Sequence, residues 1–154
     1  MNNLKRLAPG AYLIALLLLL IPMWDNLTSL LPVHASSSAW RFGFFGLISN
    51  ALLLPSIGAL IAFAAAIVAD HARTLRALRL TSWVIAILML MGVVLFAFDA
   101  AQTKNNIQPQ IRRSFKIASV TAGLKLLTGA ATLALLGLAG RREEEVAPSV
   151  ARRP

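Results

Sequence analysis

The chain has 154 residues, of which 58% are hydrophobic and only 14% are charged. An average soluble domain is about 45–50% apolar and about one quarter charged, so this composition argues against a water-soluble domain. The net charge is +9, but the basic residues flank apolar runs, so we expect lipid headgroups rather than nucleic acid as their partners. The lack of cysteine excludes disulfides and thiolate catalysis.

Four apolar runs are each long enough to cross a lipid bilayer as a helix. In chain order they cover residues 10–31, 42–69, 80–100 and 117–140, with polar segments between them. This pattern predicts an all-α integral membrane bundle of four transmembrane helices within residues 1–140. Residues 141–154 are rich in charged residues and have few apolar side chains to bury, so we expect a flexible tail there. The first run continues too far beyond Ile21 for a cleaved signal peptide.

The second run carries two features that affect helix packing. It is longer than a straight crossing requires, and Pro55 lies near its middle, which predicts a kink or a tilt. Gly58, Ala62 and Ala66 follow at four-residue spacing, and this pattern of small residues predicts the close approach of another helix.

The distribution of basic residues predicts an orientation. With four crossings both termini lie on one side, which then holds nine Lys and Arg residues against five on the other. Since basic loops favour the cytoplasm, we expect both termini there, in the inner membrane of a bacterium. Arg73, Arg76 and Arg79 would lie along one side if the helix continues past the membrane, and we expect them to contact lipid headgroups.

Four polar residues interrupt the apolar runs at similar depths. Counting about 1.5 Å per helical residue places all of them in the outer half of the membrane. They are Asp25, Asn50, Asp99 and Lys125. We predict that they form an intramembrane polar layer, which serves either as an ion pair or as a ligand site.

Lys125 is the most unusual member of this layer, because an ammonium group in hydrocarbon is costly. Its side of the helix also carries small and polar residues such as Thr121 and Thr128, so we expect Lys125 to point into the bundle or at a subunit boundary. Asp25 is the preferred partner and Asp99 the second, with Asn50 satisfying a remaining donor. The alternatives are a lysine that snorkels to the headgroups and a functional site for an ion, a proton or a ligand.

No catalytic residue, metal site or cofactor is expected. The sequence has no HExxH motif, no phosphate-binding glycine loop and no GxSxG elbow, and its two histidines fall on opposite sides. We therefore expect a non-catalytic membrane protein that acts through helix contacts, as an accessory or scaffolding subunit of a larger complex or as a homo-oligomer. A small oligomeric transporter or channel that uses the polar layer is the alternative. An enzyme acting on lipid or quinone through Asp25 or Asp99 is a third possibility.

Overall fold

The computed structural model describes the backbone of residues 2–104 and 107–150 and the side chains of residues 5–104 and 107–139. The regular secondary structure in this part of the chain is all helical and contains no strand, which confirms the all-α class. The elements are α1 (Asn2–Ser29), α2 (Ser38–Ala51), α3 (Leu53–Val68), α4 (Ala72–Lys104), a short 3-10 turn (Pro109–Ile111) and α5 (Arg112–Val150).

Three of these helices, α1, α4 and α5, are individually long and apolar enough to cross a membrane. The bent pair α2 and α3 is also long and apolar enough when its two helices are taken together, so the described residues contain three or four candidate spans. The helices extend past the apolar runs, because backbone hydrogen bonding continues into the flanking polar residues. α4 thus begins at Ala72 and α5 at Arg112.

The helical backbone of α5 continues to Val150 and so includes much of the predicted tail. Residues 151–154 lie outside the described residues. The flexibility of the tail stays a prediction.

α2 and α3 meet at an angle of 49° around Leu52. Pro55 has no N–H to donate to the carbonyl four residues earlier, which removes one helical hydrogen bond at this point. Both the backbone N–H and the hydroxyl of Ser56 donate to the Leu52 carbonyl oxygen, at 3.0 and 2.8 Å. The kink predicted from Pro55 is therefore present, and the Leu52 carbonyl oxygen at the bend accepts two hydrogen bonds from Ser56.

The bent pair packs antiparallel to α4 along most of its length. Near one end of the bundle Ala66 packs with Leu75, and near the other Arg41 pairs with Asp99. Leu75 and Asp99 are 24 residues apart, which at about 1.5 Å per residue is roughly 36 Å. We call these ends the turn end, which holds the α3–α4 turn, and the loop end, which holds the α1–α2 loop.

Small residues let α1 lie directly against α3. A Cβ atom built on Gly58 would stand 2.8 Å from the carbonyl oxygen of Ala15, so no larger residue fits without moving the helices apart. Gly58, Ala62 and Ala66 are all buried, as their spacing predicted. α4 and α5 pack together in the same antiparallel way, with Gly129 against Met89 and Gly137 against the Trp83 ring.

The α3–α4 turn is fixed by its backbone. Asp70 adopts a left-handed conformation with a φ of 60°, and the His71 N–H reaches back to the Ala66 carbonyl oxygen at 2.9 Å. The Asp70 N–H donates to the Ile67 carbonyl oxygen at 3.1 Å. These two bonds form a Schellman motif, which satisfies the last carbonyls of α3 and allows the tight reversal into α4.

Candidate functional site

Asp99 lies inside the bundle, on α4 near the loop end, and is 2% exposed. Its carboxylate forms a bidentate ion pair with Arg41 of α2. The Arg41 Nε donates to Oδ2 at 3.0 Å and Nη2 donates to Oδ1 at 2.6 Å. The remaining terminal nitrogen of Arg41, Nη1, donates to the Ala35 carbonyl oxygen at 2.9 Å. One guanidinium therefore joins the α1–α2 loop, α2 and α4.

Arg41 is absent from the predicted polar layer because it precedes the apolar run 42–69, in a segment that we expected to be a loop. α2 in fact begins at Ser38, and the Ser37 hydroxyl accepts a hydrogen bond from the Trp40 N–H at 3.4 Å. A serine that caps a helix in this way is a recognisable start signal. It places Arg41 in the first turn of α2, where the side chain can reach α4.

Asp99 is therefore not the partner of Lys125. A planar guanidinium can satisfy both carboxylate oxygens at once, which an ammonium cannot do. The two residues also differ in depth. Phe96 lies beside Gly123, so Lys125 is level with about residue 94 of α4, which is roughly 7 Å along the helix from Asp99.

Lys125 lies on the outside of the bundle, at the seam between α2 and α5. Its Nζ donates to the Asn50 Oδ1 at 2.8 Å, and both side chains are exposed. The interior side of α5 includes the buried residues Ala122, Leu126 and Ala130. The expectation that Lys125 points into the bundle is therefore wrong, while a position at a subunit boundary stays a prediction.

The threonines next to Lys125 are satisfied within their own helix. The Thr128 hydroxyl donates to the Leu124 carbonyl oxygen and the Thr132 hydroxyl to the Thr128 carbonyl oxygen, both at 2.9 Å. Such bonds allow threonine to face lipid without an interhelical partner. They explain why the polar side of α5 did not predict which side faces the core.

Asp25 lies apart from both pairs, in a groove of about 770 Å³ between α1 and the bent pair. The lining is almost entirely apolar and includes Ile21, Trp24, Phe44, Ile48, Ala51 and Pro55. The groove arises because α1 follows α3, so the bend at Leu52 carries α2 away from α1. The Asp25 side chain is exposed, and no side chain among the described residues pairs with it.

The structure thus divides the predicted polar layer among three places. Asn50 and Lys125 meet on the surface, Asp99 is paired with Arg41 in the interior, and Asp25 lines the groove. The preferred partnership of Lys125 with Asp25 does not occur within one chain, because α1 and α5 make no contact in the described part of the bundle. That these residues bind an ion or a ligand stays a prediction.

The three arginines predicted to meet lipid headgroups lie in the first turns of α4, at the turn end. Arg73 and Arg76 are exposed and Arg79 is half-buried. Arg76 and Arg79 also interact with other residues of the chain. Their contact with headgroups stays a prediction.

A polar contact that the sequence did not indicate lies at the turn end. The Tyr12 hydroxyl is 3.1 Å from the His71 Nδ1, and the two rings stack with centroids 6.0 Å apart. It ties α1 to the α3–α4 turn, and a separation of 59 residues left no local signal for it. His34 lies in the α1–α2 loop, so the histidines occupy opposite ends, and no group of side chains suited to a metal occurs among the described residues.

Comparison of the chain with protein-family models, curated proteins and solved structures finds no match.

Proposed function

We propose that this chain is an integral membrane protein with four crossings that works through contacts between its helices and other membrane proteins, as an accessory or scaffolding subunit. The observation that carries the proposal is the polar surface of the outer half of the bundle. Lys125 and Asn50 are exposed at a depth where a lone bundle would meet lipid, and Asp25 is exposed in an apolar groove. Charged residues within membranes normally face a protein interior or a partner.

The length of the bent pair supports four crossings. It follows α4 for roughly 36 Å, whereas the hydrocarbon core of a bilayer is about 30 Å thick. The excess of basic residues at the turn end and the termini, nine against five, supports cytoplasmic termini in a bacterial inner membrane.

The geometry gives less support to a transporter. Both carboxylate oxygens of Asp99 are occupied by Arg41, so this acid holds helices together. The groove that contains Asp25 is not lined by Asn50, Asp99 or Lys125. A transport site would need several of these groups around one cavity.

Purification of the tagged chain in a mild detergent tests the proposal. We expect a fixed set of other membrane polypeptides to accompany it, in the same ratio in two unrelated detergents. Recovery of the chain with lipid alone in both detergents would contradict the proposal.

A matched pair of variants tests whether the groove belongs to the contact surface. Ala51→Phe adds a ring to the groove, whereas Ala97→Phe adds the same ring to an exposed position on α4. We expect the first variant to lose accompanying polypeptides and the second to retain them. Equal recovery with both variants would show that the groove makes no such contact.

A further inference from the structure

An exposed stripe runs along α2 and the first turn of α3. Its members are Gly43, Leu47, Asn50 and Leu54, which are all exposed and are separated by four, three and four residues. This spacing places them on one side of the helix and is the pattern of a helix–helix seam. A Cβ atom built on Gly43 would have nothing within 4 Å, so another backbone can approach closely there.

Opposite charges flank this stripe. On one flank lies the groove with Asp25, which is lined by Phe44, Ile48 and Ala51 of α2. On the other flank Lys125 donates to Asn50. The α2 residues that pack on α4, such as Phe45 against Gly92, lie on the far side of the helix, so the stripe and both charges face outward together.

The two charges also lie at nearly the same depth. α1 and α3 run antiparallel, and Ala15 lies beside Gly58. Asp25 is ten residues further along α1, so it is level with about residue 48 of the bent pair. Ile48 lines the groove together with Asp25, in agreement with this estimate. Lys125 meets residue 50 of the same helix, a difference of roughly 3 Å in depth.

We propose that a second copy of this chain covers the stripe, related to the first by a two-fold axis along the membrane normal. Rotation about such an axis preserves depth and brings α1 of one copy opposite α5 of the other. Lys125 of each copy then faces Asp25 of the other copy, and the dimer contains two such ion pairs. An ammonium group has three donors, so Lys125 keeps its hydrogen bond to Asn50.

This self-association rests on the proposed function, because it identifies one partner of the contact surface. Dimerisation also removes the free-energy cost of exposing Asp25 and Lys125 to lipid, which a single bundle would have to bear. Asp25 and Lys125 each gain a partner of opposite sign, and the interface is isologous and closes after two copies.

Crosslinking in native membranes tests the arrangement, and the absence of native cysteine gives it a clean background. Two differently tagged chains, one with Asp25→Cys and one with Lys125→Cys, are co-expressed and treated with a short bifunctional thiol reagent. A reagent is needed because a lysine–aspartate pair separates the Cα atoms further than a disulfide allows. We expect dimers carrying both tags, and we expect Leu47→Cys alone to give a crosslinked dimer.

The control is Leu95→Cys, which is exposed on α4 at nearly the depth of Lys125. Paired with Asp25→Cys it should give no dimer. Equal yields from Leu95→Cys and Lys125→Cys, or no product from either, would overturn the proposal. The chain that carries both Asp25→Cys and Lys125→Cys should give no product larger than a dimer. Larger products from that chain, together with no dimer from Leu47→Cys, would overturn the two-fold axis.

Charge reversal tests the ion pair itself. We expect Asp25→Lys and Lys125→Asp each to weaken dimerisation in lipid by roughly tenfold or more, and the chain with both changes to recover it. Circular dichroism checks that each variant keeps its helices. A doubly reversed chain that folds but stays monomeric would overturn the pairing.

These outcomes separate the inference from the proposed function. Other polypeptides that co-purify without any crosslinking between copies would leave the accessory role intact and remove the dimer. Crosslinked dimers that purify without any other polypeptide would support the dimer and remove the accessory role.

Discussion

Replacing Arg41 by methionine should destabilise the bundle more than any change at its surface. The substitution removes three charge-assisted hydrogen bonds, two to Asp99 and one to the Ala35 carbonyl oxygen. It leaves the Asp99 carboxylate, which is only 2% exposed, without a counter-charge. The cost comes mainly from this uncompensated charge rather than from the loss of contacts.

The magnitude follows from the burial of the two partners. Breaking a buried ion pair by removing one member typically costs about 3–5 kcal/mol. The Arg41 side chain is 33% exposed, so water can partly solvate the carboxylate, and we expect the lower end of that range. A loss of about 3 kcal/mol lowers the folding equilibrium constant by roughly 10²-fold.

Unfolding in mixed micelles with a rising fraction of sodium dodecyl sulfate, followed by circular dichroism, measures this free energy. The matched control replaces both partners, Arg41→Met with Asp99→Leu, which removes the charges and keeps apolar bulk. We expect this double variant to unfold within about 1 kcal/mol of the original chain. An unchanged Arg41→Met variant, or a double variant as unstable as it, would refute the electrostatic reasoning.

Three further predictions concern packing, the surface pair and topology. Gly58→Leu should destabilise the same unfolding transition by about 1–3 kcal/mol through overpacking, whereas Gly10→Leu, where a Cβ meets nothing within 4 Å, should not. Lys125→Met should change the stability of the monomer in detergent by less than about 1 kcal/mol, because the lysine is exposed. Membrane-impermeant thiol labelling should reach Ser36→Cys and Ala72→Cys from opposite sides; labelling from the same side would indicate three crossings.

The helices and the bend could be predicted because their causes are local. Length and hydropathy specify where a chain can cross a membrane, and a proline in the interior of a helical run, such as Pro55, removes one hydrogen bond. The spacing of Gly58, Ala62 and Ala66 is also a property of one segment, and it correctly indicated a close helix contact.

The hydrogen bond from Lys125 to Asn50 was expected, but the partners of the carboxylates were not, because they depend on how helices are rotated and offset. Asp99 meets Arg41 only because the cap at Ser37 starts α2 early enough to place the arginine on a helix. Lys125 faces outward because α5 turns Ala122 and Leu126 toward the core, although small and polar residues surround the lysine. Small residues pack equally well inside a bundle or between bundles, so composition alone did not distinguish these positions.

The groove also lay beyond sequence reasoning. It exists because α1 packs on α3 while the bend directs α2 elsewhere, and neither segment encodes this by itself. Asp25 is consequently separated from the lysine that was expected to neutralise it.

The most direct test of a protein that works through helix contacts is the mass of its assembly in lipid. Membranes containing the chain can be extracted into polymer-bounded lipid discs without detergent, and the protein content of each disc can be determined by native mass spectrometry. We expect each particle to contain at least two copies of this chain together with other polypeptides. Discs that hold a single copy with lipid alone would contradict both the contact role and the dimer.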